Sequence, residues 1–386
     1  MISQFNIPST VIAGAGASRE LTPQLRRRGL DRVLLVTDRF MVGSGLAPRI
    51  VAELSAAGIF TEVFDDVQPD PSVDNVLAGL DLLRAARSQA VVALGGGSPI
   101  DCAKVIAILS TNHGPMEQFM GRDKVPNAGL PLFAIPTTAG TGSEVTKVAV
   151  ITDTRRDVKM MMLDSHLLPA VALVDFELTL SMPPALTAAV GVDTLTHGIE
   201  AYVSKLATPL TDPPALSCIR LVGENLECAW REPTNRAARE GMMLAATQGG
   251  MAFANSSVAL VHGMSRPIGA LFHVPHGVSN AMLLPAVTRF SMPGAVARYA
   301  TVARTLGWSR VMESDEAAAM VLVDGLEALN VRLQISPLRA HPKIEAARFR
   351  ASLDKMAADA LASGSPQNNP VVPTFDQIVA LYQQAW

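Results

Sequence analysis

The chain has 386 residues, of which 49% are hydrophobic, and its formal net charge is -3. A chain of this length exceeds the size of one hydrophobic core, so we expect two domains. The scattered basic residues do not fit a nucleic-acid-binding surface, and no apolar run approaches the roughly 18 residues of a membrane span. The first residues, MISQFNIPST, do not resemble a secretion signal, and Cys102, Cys218 and Cys228 are isolated. These features predict a soluble cytoplasmic protein without a thiolate zinc site.

Up to about residue 180, short runs rich in β-branched residues alternate with helical stretches. The predicted strands are VLLVTD (33–38), VVALGGG (91–97), LFAIPTT (132–138) and VALVD (171–175). Strands that alternate with helices form a parallel sheet covered on both faces, so residues 1–180 are predicted to be a Rossmann-like α/β domain. After SMPPAL, stretches rich in Ala, Leu and Met, such as GMMLAATQGGMAFA, predict an all-α domain over residues 181–386.

In an open parallel sheet, ligands bind beyond the carboxyl ends of the strands. The first such place, VIAGAGAS (11–18), matches only part of the GxGxxG fingerprint, and we interpret it as a turn between a strand and a helix. Asp38 comes at the end of VLLVTD. A carboxylate there can accept both hydroxyls of an adenosine ribose and would repel a 2′-phosphate, which favours NAD over NADP. A helix cap is the alternative role for this residue.

The stretch VVALGGGSPIDCAKVIA predicts a buried strand that leads through three glycines, including Gly96 and Gly97, into a helix. Glycines let a pyrophosphate approach the backbone, and the first helical turn offers unpaired N–H groups to it. Ser98 and Asp101 belong to that turn in this interpretation. A plain tight turn is the alternative, but three consecutive glycines exceed what a turn requires.

A second polar loop, PTTAGTGSEVT (136–146), follows the next predicted strand and is rich in hydroxyl groups. We expect Thr137, Thr138, Thr141 and Ser143 to surround a phosphate or the nicotinamide ribose with neutral donors. Alone, this segment is equally compatible with a solvent-exposed loop. Two such loops after neighbouring strands together predict a nucleotide-binding crevice.

The stretch GVDTLTHGIEAY (191–202) places Asp193 and His197 four residues apart, and therefore on one face of an otherwise apolar helix. His262 follows a run that we expect to be capped by a serine in SSVALVHGMSRPIGA, and His276 lies in FHVPHGVSN. One carboxylate and three imidazoles suit Fe²⁺ or Zn²⁺ and leave room for a substrate oxygen. A single buried histidine is usually structural, but four potential ligands in the helical half favour a metal site.

The segments GGGSPID, PTTAGTGSEVT, GVDTLTHGIEAY and His262 to His276 together resemble the iron-containing, or group III, alcohol dehydrogenase family over nearly the whole chain. The resemblance implies a dinucleotide-binding α/β domain, a helical C-terminal domain, an active site between them, and a homodimer or larger assembly. It implies that the metal ligands are Asp193, His197, His262 and His276. The implied cofactor contacts are Asp38, the loop from Gly96 to Ser98, Thr137, Thr138, Thr141, and Lys159 in the segment VKMMMLD.

The reaction implied by this resemblance is hydride transfer between NAD(H) and a small primary alcohol or aldehyde, with a metal ion that lowers the pKa of the alcohol oxygen. Arg266 departs from the family pattern, because many members carry a histidine four residues after the third metal ligand. An arginine cannot transfer protons near neutral pH. Two roles are open for it: pairing with a nearby carboxylate, or binding an anionic group of the substrate, such as the carboxylate of a semialdehyde.

Two other functions are alternatives at this stage. A lyase similar to the dehydroquinate synthases would use a related architecture, a metal and NAD, but it should carry a cluster of lysines and arginines for a substrate phosphate, and this region has few. A catalytically silent metal- or nucleotide-binding protein is the second alternative, and the presence of all four ligand types argues against it.

Overall fold

The computed structural model describes residues 2–156 and 158–386. The chain divides into two compact units: one is Asn6–Thr179, and the other is Leu180–Trp386 together with the residues up to Phe5. The strands of the first unit are β1 (Thr10–Ala13), β2 (Arg32–Val36), β3 (Phe60–Phe64), β4 (Ala90–Gly95), β5 (Gly121–Arg122), β6 (Leu132–Pro136), β7 (Val148–Asp153), β8 (Val158–Leu163) and β9 (Val171–Val174). Its helices are α1 (Leu21–Arg27), α2 (Arg39–Gly43), α3 (Leu46–Ala56), α4 (Val73–Ala85) and α5 (Gly97–Leu109).

The first unit is built on a parallel six-stranded sheet in the order β1-β9-β6-β4-β2-β3. Successive residues of its central strands enter two separate cores, as in β2, where Leu34 and Val36 pack on one side and Val33 and Leu35 on the other. Side chains alternate between the faces of a strand, so both faces of this sheet are buried. The predicted parallel α/β fold is confirmed.

A second, smaller sheet in the order β5-β8-β7 was not predicted from the sequence. Its strands β7 and β8 pair antiparallel, with Val150 opposite Met161. In β7, buried and half-buried residues alternate, which is the pattern of a strand with one covered face. This hairpin follows the hydroxyl-rich loop along the chain.

The central strands bring three predicted cofactor segments to one edge of the large sheet. β4 lies between β2 and β6, with Val36 opposite Ala93 and Gly95 opposite Pro136. Because the three strands are parallel, the residues that follow them all leave from the same edge. β2 is shorter than predicted and ends at Val36, so Asp38 lies in the connection to α2.

The second unit is helical. Its helices are α6 (Pro184–Val203), α7 (Asp212–Arg231), α8 (Arg236–Asn255), α9 (Leu260–Phe272), α10 (His276–Ser291), α11 (Val296–Thr305), α12 (Asp315–Arg332), α13 (Ala346–Ala351), α14 (Leu353–Ala362) and α15 (Phe375–Ala385). The predicted helical C-terminal half is thereby confirmed. Within the described residues, none of the helices has the length and apolar character needed to span a bilayer.

Candidate metal and cofactor sites

Three of the four predicted metal ligands form one cluster in the helical unit. Each of these three residues offers one ligand atom, and the three atoms lie within 4.8 Å of one another; the residues are Asp193, His262 and His276. Oδ1 of Asp193 is 3.6 Å from Nε2 of His262 and 3.9 Å from Nε2 of His276. Two atoms that bind one zinc ion tetrahedrally at about 2.1 Å are about 3.4 Å apart, so this spacing fits a shared cation.

His197 lies beside that cluster. Its Nε2 is 3.9 Å from Oδ1 of Asp193, and its ring stacks on Phe253 and His262 with centroid distances of 4.4 and 4.7 Å. The i,i+4 spacing on α6 therefore brings the two side chains to one face, as predicted. Among the described residues, no hydrogen-bond partner faces the buried Nδ1 of His197.

The cluster is buried on most sides and open at one ligand. The side chains of Asp193, His262 and His197 are 5%, 4% and 6% exposed, whereas that of His276 is 47% exposed. A small molecule can therefore approach the cluster from the side of His276.

The charges at the cluster favour the protonation states that metal binding requires. Burial and the neighbouring imidazoles of His197 and His276 hold the pKa of His262 well below its usual range. Burial raises the pKa of Asp193, but the three imidazoles and Asn280 outweigh it and leave that pKa below the ordinary value. A neutral imidazole and an ionised carboxylate are the forms that coordinate a cation.

Glu200 fixes the orientation of His262, and the sequence analysis did not select it. Its carboxylate accepts the backbone N–H groups of Ala259 and Val261 at 2.8 and 2.6 Å, and Nδ1 of His262 lies 2.6 Å from Oε2. Burial raises the pKa of Glu200 to about 7, against the effect of the backbone N–H groups. In its ionised form the carboxylate only accepts, so Nδ1 of the imidazole donates and Nε2 keeps its lone pair. Glu200 lies seven residues after Asp193 on α6, and this helical spacing is the signal that could have identified it.

The expectation that a serine caps the helix of His262 is wrong. Helix α9 begins at Leu260 after Ala259, without a side-chain cap from a neighbouring residue, and Ser256 ends α8 instead. The carboxylate of Glu200 accepts the N–H groups at this helix start, so a serine cap is not needed.

A glycine allows His276 to reach Asp193. A Cβ atom on Gly277 would lie 2.4 Å from the carbonyl oxygen of Ala189 and 3.3 Å from Cβ of Asp193. The start of α10 therefore packs directly against the backbone of α6, which no larger residue at position 277 would allow.

Arg266 lies one turn after His262 on α9 and is half-buried. Its Nη1 donates to the hydroxyl of Ser365 at 3.1 Å. Burial lowers the pKa of the guanidinium, and the charge of Glu200 raises it. One of the hydrogen-bond partners of Arg266 is therefore a neutral hydroxyl group rather than a carboxylate.

In the α/β unit, the glycine loop after β4 and the hydroxyl-rich loop after β6 pack against each other. A Cβ on Gly96 would lie 3.4 Å from Oγ1 of Thr138, and one on Gly97 would lie 3.0 Å from Cγ2 of Thr141. Gly95 has a φ of 147°, which side-chain-bearing residues rarely adopt, and a Cβ there would be 2.6 Å from Cγ of Pro99. Gly95 is therefore required for backbone conformation and close packing, Gly97 packs tightly against Thr141, and Gly96 is in ordinary contact with Thr138.

Two of the predicted cofactor residues bind each other. Asp101 accepts the hydroxyl of Ser143 at 2.6 Å and the N–H of Val150 at 3.0 Å. The fully buried Lys104 donates to Ser143, to Thr146 at 2.9 Å, and to a backbone carbonyl. This network joins α5 to the hydroxyl-rich loop, so Asp101 and Ser143 position the loop. Thr137 is buried at the start of the same loop.

Two of the remaining cofactor predictions, Asp38 and Lys159, fall on residues with partners of their own. Asp38 caps α2 by accepting the N–H of Met41 at 2.9 Å, which is the alternative role considered for it. Lys159 lies on β8 and forms an exposed ion pair of 2.7 Å with Asp70. Ser98 is half-buried in the first turn of α5.

Comparison with known families decides the class of the chain. Residues 8–176 match the model of the iron-containing alcohol dehydrogenases, and residues 187–386 match the C-terminal model of the same family. The chain belongs to the iron-containing alcohol dehydrogenase family. The resemblance seen in its motifs is thereby confirmed.

Relatives within this family cover the whole chain. Alcohol dehydrogenase 4 of Schizosaccharomyces pombe is 38% identical over 100% of this chain and 89% of its own length. The crystal structure of a 1,3-propanediol oxidoreductase is 35% identical, covers 100% of both chains and superposes with a TM-score of 0.97. The crystal structure of sulfoacetaldehyde reductase from Bifidobacterium kashiwanohense in complex with NAD⁺ is 30% identical, covers 100% of this chain and 99% of that one, and has a TM-score of 0.88.

Membership of the iron-containing alcohol dehydrogenase family makes the chain an NAD-dependent oxidoreductase, and it confirms the predicted metal-dependent alcohol dehydrogenase or aldehyde reductase. The family implies a divalent metal ion and NAD(H). Neither the lyase nor the catalytically silent protein considered above is favoured by these matches.

Proposed function

We propose that Asp193, His197, His262 and His276 hold one divalent cation, with Fe²⁺ as the resident ion and Zn²⁺ as the alternative. The observation that carries this proposal is the cluster of Asp193, His262 and His276, of which the first two are buried and whose ligand atoms lie within 4.8 Å of one another. Imidazole nitrogens and one carboxylate oxygen are a donor set that borderline divalent cations accept. The second support is Glu200, which orients His262 as the partners of metal-binding histidines commonly do.

We also propose that the predicted cofactor segments of the α/β unit bind NAD. The backbone of Gly96, Gly97 and Ser98 at the start of α5 would receive the pyrophosphate, and Thr137, Thr138 and Thr141 would contact the phosphates or the nicotinamide ribose. Asp38 would bind the adenosine ribose, and Lys159 would contribute a positive charge. Asp101 and Ser143 would keep the two loops in register through their contact with each other.

For the reaction, a bound cation would supply a Lewis acid for the oxygen of the alcohol or aldehyde, and NAD(H) would supply the acceptor or donor of the hydride. The protein residues have separate tasks. Glu200 keeps the lone pair of His262 Nε2 directed at the cluster, and the exposed His276 leaves the approach open. The buried surroundings of Asp193 and His262 exclude water from most of the site.

We propose a small primary alcohol or aldehyde as the substrate, with an anionic group as a finer possibility. Arg266 lies one helical turn from His262, and a guanidinium binds carboxylate and sulfonate groups with two parallel hydrogen bonds. The sulfoacetaldehyde reductase among the relatives acts, by its name, on an anionic aldehyde. A homodimer or larger assembly and a cytoplasmic location also remain proposals, based on the family resemblance and on the isolated cysteines.

The test is an assay of NADH formation with a panel of primary alcohols, using chelator-treated protein with and without added Fe²⁺ or Zn²⁺ under anaerobic conditions. We expect metal-dependent NADH formation. A lyase would show no net NADH formation, and a silent protein would bind without turnover.

His262→Ala should lose activity in this assay and lose bound metal by elemental analysis. It should retain NAD binding, measured directly, because Asn6–Thr179 is a separate compact unit. His341→Ala, in a loop between α12 and α13, is the matched control and should behave like the wild type. Stoichiometric metal in the His262→Ala protein would contradict the ligand assignment.

A further inference from the structure

Asn280 contacts the proposed metal ligands directly, although it is not one of them. It lies on α10 one turn after His276 and is completely buried. Its amide nitrogen Nδ2 is 2.6 Å from Oδ1 of Asp193, 3.3 Å from Nε2 of His262 and 3.2 Å from Nε2 of His276. These are the three residues of the metal-ligand cluster.

The surroundings fix which end of the amide faces the cluster. An ionised carboxylate and the Nε2 atom of His262 can only accept hydrogen bonds, because Nδ1 of that imidazole donates to Glu200. The reversed amide would place Oδ1 against the carboxylate oxygen of Asp193, so Nδ2 must point inward. Oδ1 of Asn280 is left buried without a hydrogen-bond partner among the described residues, which indicates that the ligand atoms dictate the orientation.

The hydrogen bonds of this amide to the two histidines and the binding of a cation exclude each other. A neutral imidazole nitrogen that accepts has one lone pair, and it can direct that pair to an N–H group or to a metal ion but not to both. A carboxylate oxygen has lone pairs for both, so the competition is strongest at the two histidines.

We infer that Asn280 competes with the cation for its ligands. Without the ion, the two N–H groups of the amide are shared among the three ligand atoms and keep them together; when the ion binds, the amide gives up its bonds to His262 and His276. This inference rests on the metal site proposed above. An interaction made only without the ion stabilises that state, and by linkage it weakens ion binding by the same factor.

The test is Asn280→Ala, which removes the amide and leaves the four proposed metal ligands unchanged. We expect the affinity for Zn²⁺, measured by competition with a chelator, to become about tenfold tighter, the effect of one lost hydrogen bond to a charged or strongly accepting group. The melting temperature of the chelator-treated protein should fall by more than that of the Zn²⁺-loaded protein.

Asn369→Ala is the matched control. Asn369 is also buried in the helical unit, and its amide donates to Ser291 and to the carbonyl oxygen of Val371 at 2.8 Å each. Its loss should lower the melting temperature equally with and without Zn²⁺ and leave the affinity for Zn²⁺ unchanged.

An unchanged or weaker affinity for Zn²⁺ in Asn280→Ala would overturn the inference, because the amide would then not oppose the ion. If that variant does not fold, a crystal structure of the Zn²⁺-loaded wild type decides. We expect Nδ2 of Asn280 to lie beyond hydrogen-bond distance from Nε2 of both His262 and His276. Retention of both contacts beside a bound ion would refute the competition alone, whereas a wild type that binds no Zn²⁺ would refute the metal site as well.

Discussion

Replacing Glu200 by glutamine should weaken both the metal site and the start of helix α9. The buried carboxylate accepts three hydrogen bonds, two from backbone N–H groups and one from Nδ1 of His262. Glutamine offers one acceptor oxygen, and its amide nitrogen only donates. In either orientation of the amide, at least one buried donor would face another donor.

The expected losses of stability and of metal affinity follow from the number of hydrogen bonds that Glu200→Gln removes. One buried donor left without an acceptor destabilises a protein by about 1–3 kcal/mol. The loss of the charged partner of a metal-binding histidine typically weakens metal affinity about 10- to 100-fold. We therefore expect a melting temperature lower by a few degrees and a Zn²⁺ dissociation constant larger by one to two orders of magnitude.

Both quantities can be measured on one preparation, by thermal unfolding and by competition of a chelator for Zn²⁺. Glu224→Gln is the matched control, because this glutamate is exposed on α7 and pairs with Arg220 at 2.9 Å. It should change neither quantity by more than the small amount expected for a surface ion pair. If Glu200→Gln gave the values of this control, the carboxylate of Glu200 would not orient His262.

Three further changes test the cofactor, substrate and loop contacts. Asp38→Asn keeps an oxygen to cap α2 but removes the charge, so the preference for NAD over NADP should fall about tenfold in competition kinetics; an unchanged preference would leave Asp38 only its capping role. Arg266→Met should lower kcat/KM roughly 10- to 100-fold for an acidic semialdehyde and much less for a neutral aldehyde of equal length; equal losses would exclude recognition of an anion. Burial lowers the pKa of Lys104 from 10.5 to about 8, so the folded protein binds fewer protons than the unfolded chain between these values, and its stability should rise with pH across this window. The gain in the free energy of unfolding should reach about 3 kcal/mol in the wild type and be absent in Lys104→Met. If the free energies of unfolding of the two proteins changed in parallel from pH 7.5 to 10, the lowered pKa of Lys104 would be contradicted.

The amino-acid sequence alone predicted the features that depend on neighbouring residues. Strands buried on both faces appear as continuous apolar runs, so the parallel sheet could be predicted from VLLVTD and VVALGGG. An i,i+4 spacing on a helix brings two side chains to one face without any tertiary contact, so Asp193 and His197 could be paired from GVDTLTHGIEAY. The motifs in their order also identified the family.

Features that depend on contacts between distant segments were decided by the tertiary structure. The β7–β8 hairpin was missed because only alternate residues of its six-residue strands are buried, unlike the fully buried strands of the central sheet. The serine cap was predicted from local sequence, but a carboxylate about 60 residues earlier in the chain, Glu200, accepts the N–H groups at the start of α9. Asn280 is the last residue of FHVPHGVSN, a segment selected from the sequence for His276 only, and its amide reaches Asp193 because Gly277 lets α10 pack against α6. Helical periodicity determines which side chains share a face, whereas the packing of α6, α9 and α10 determines which side chains of different helices meet.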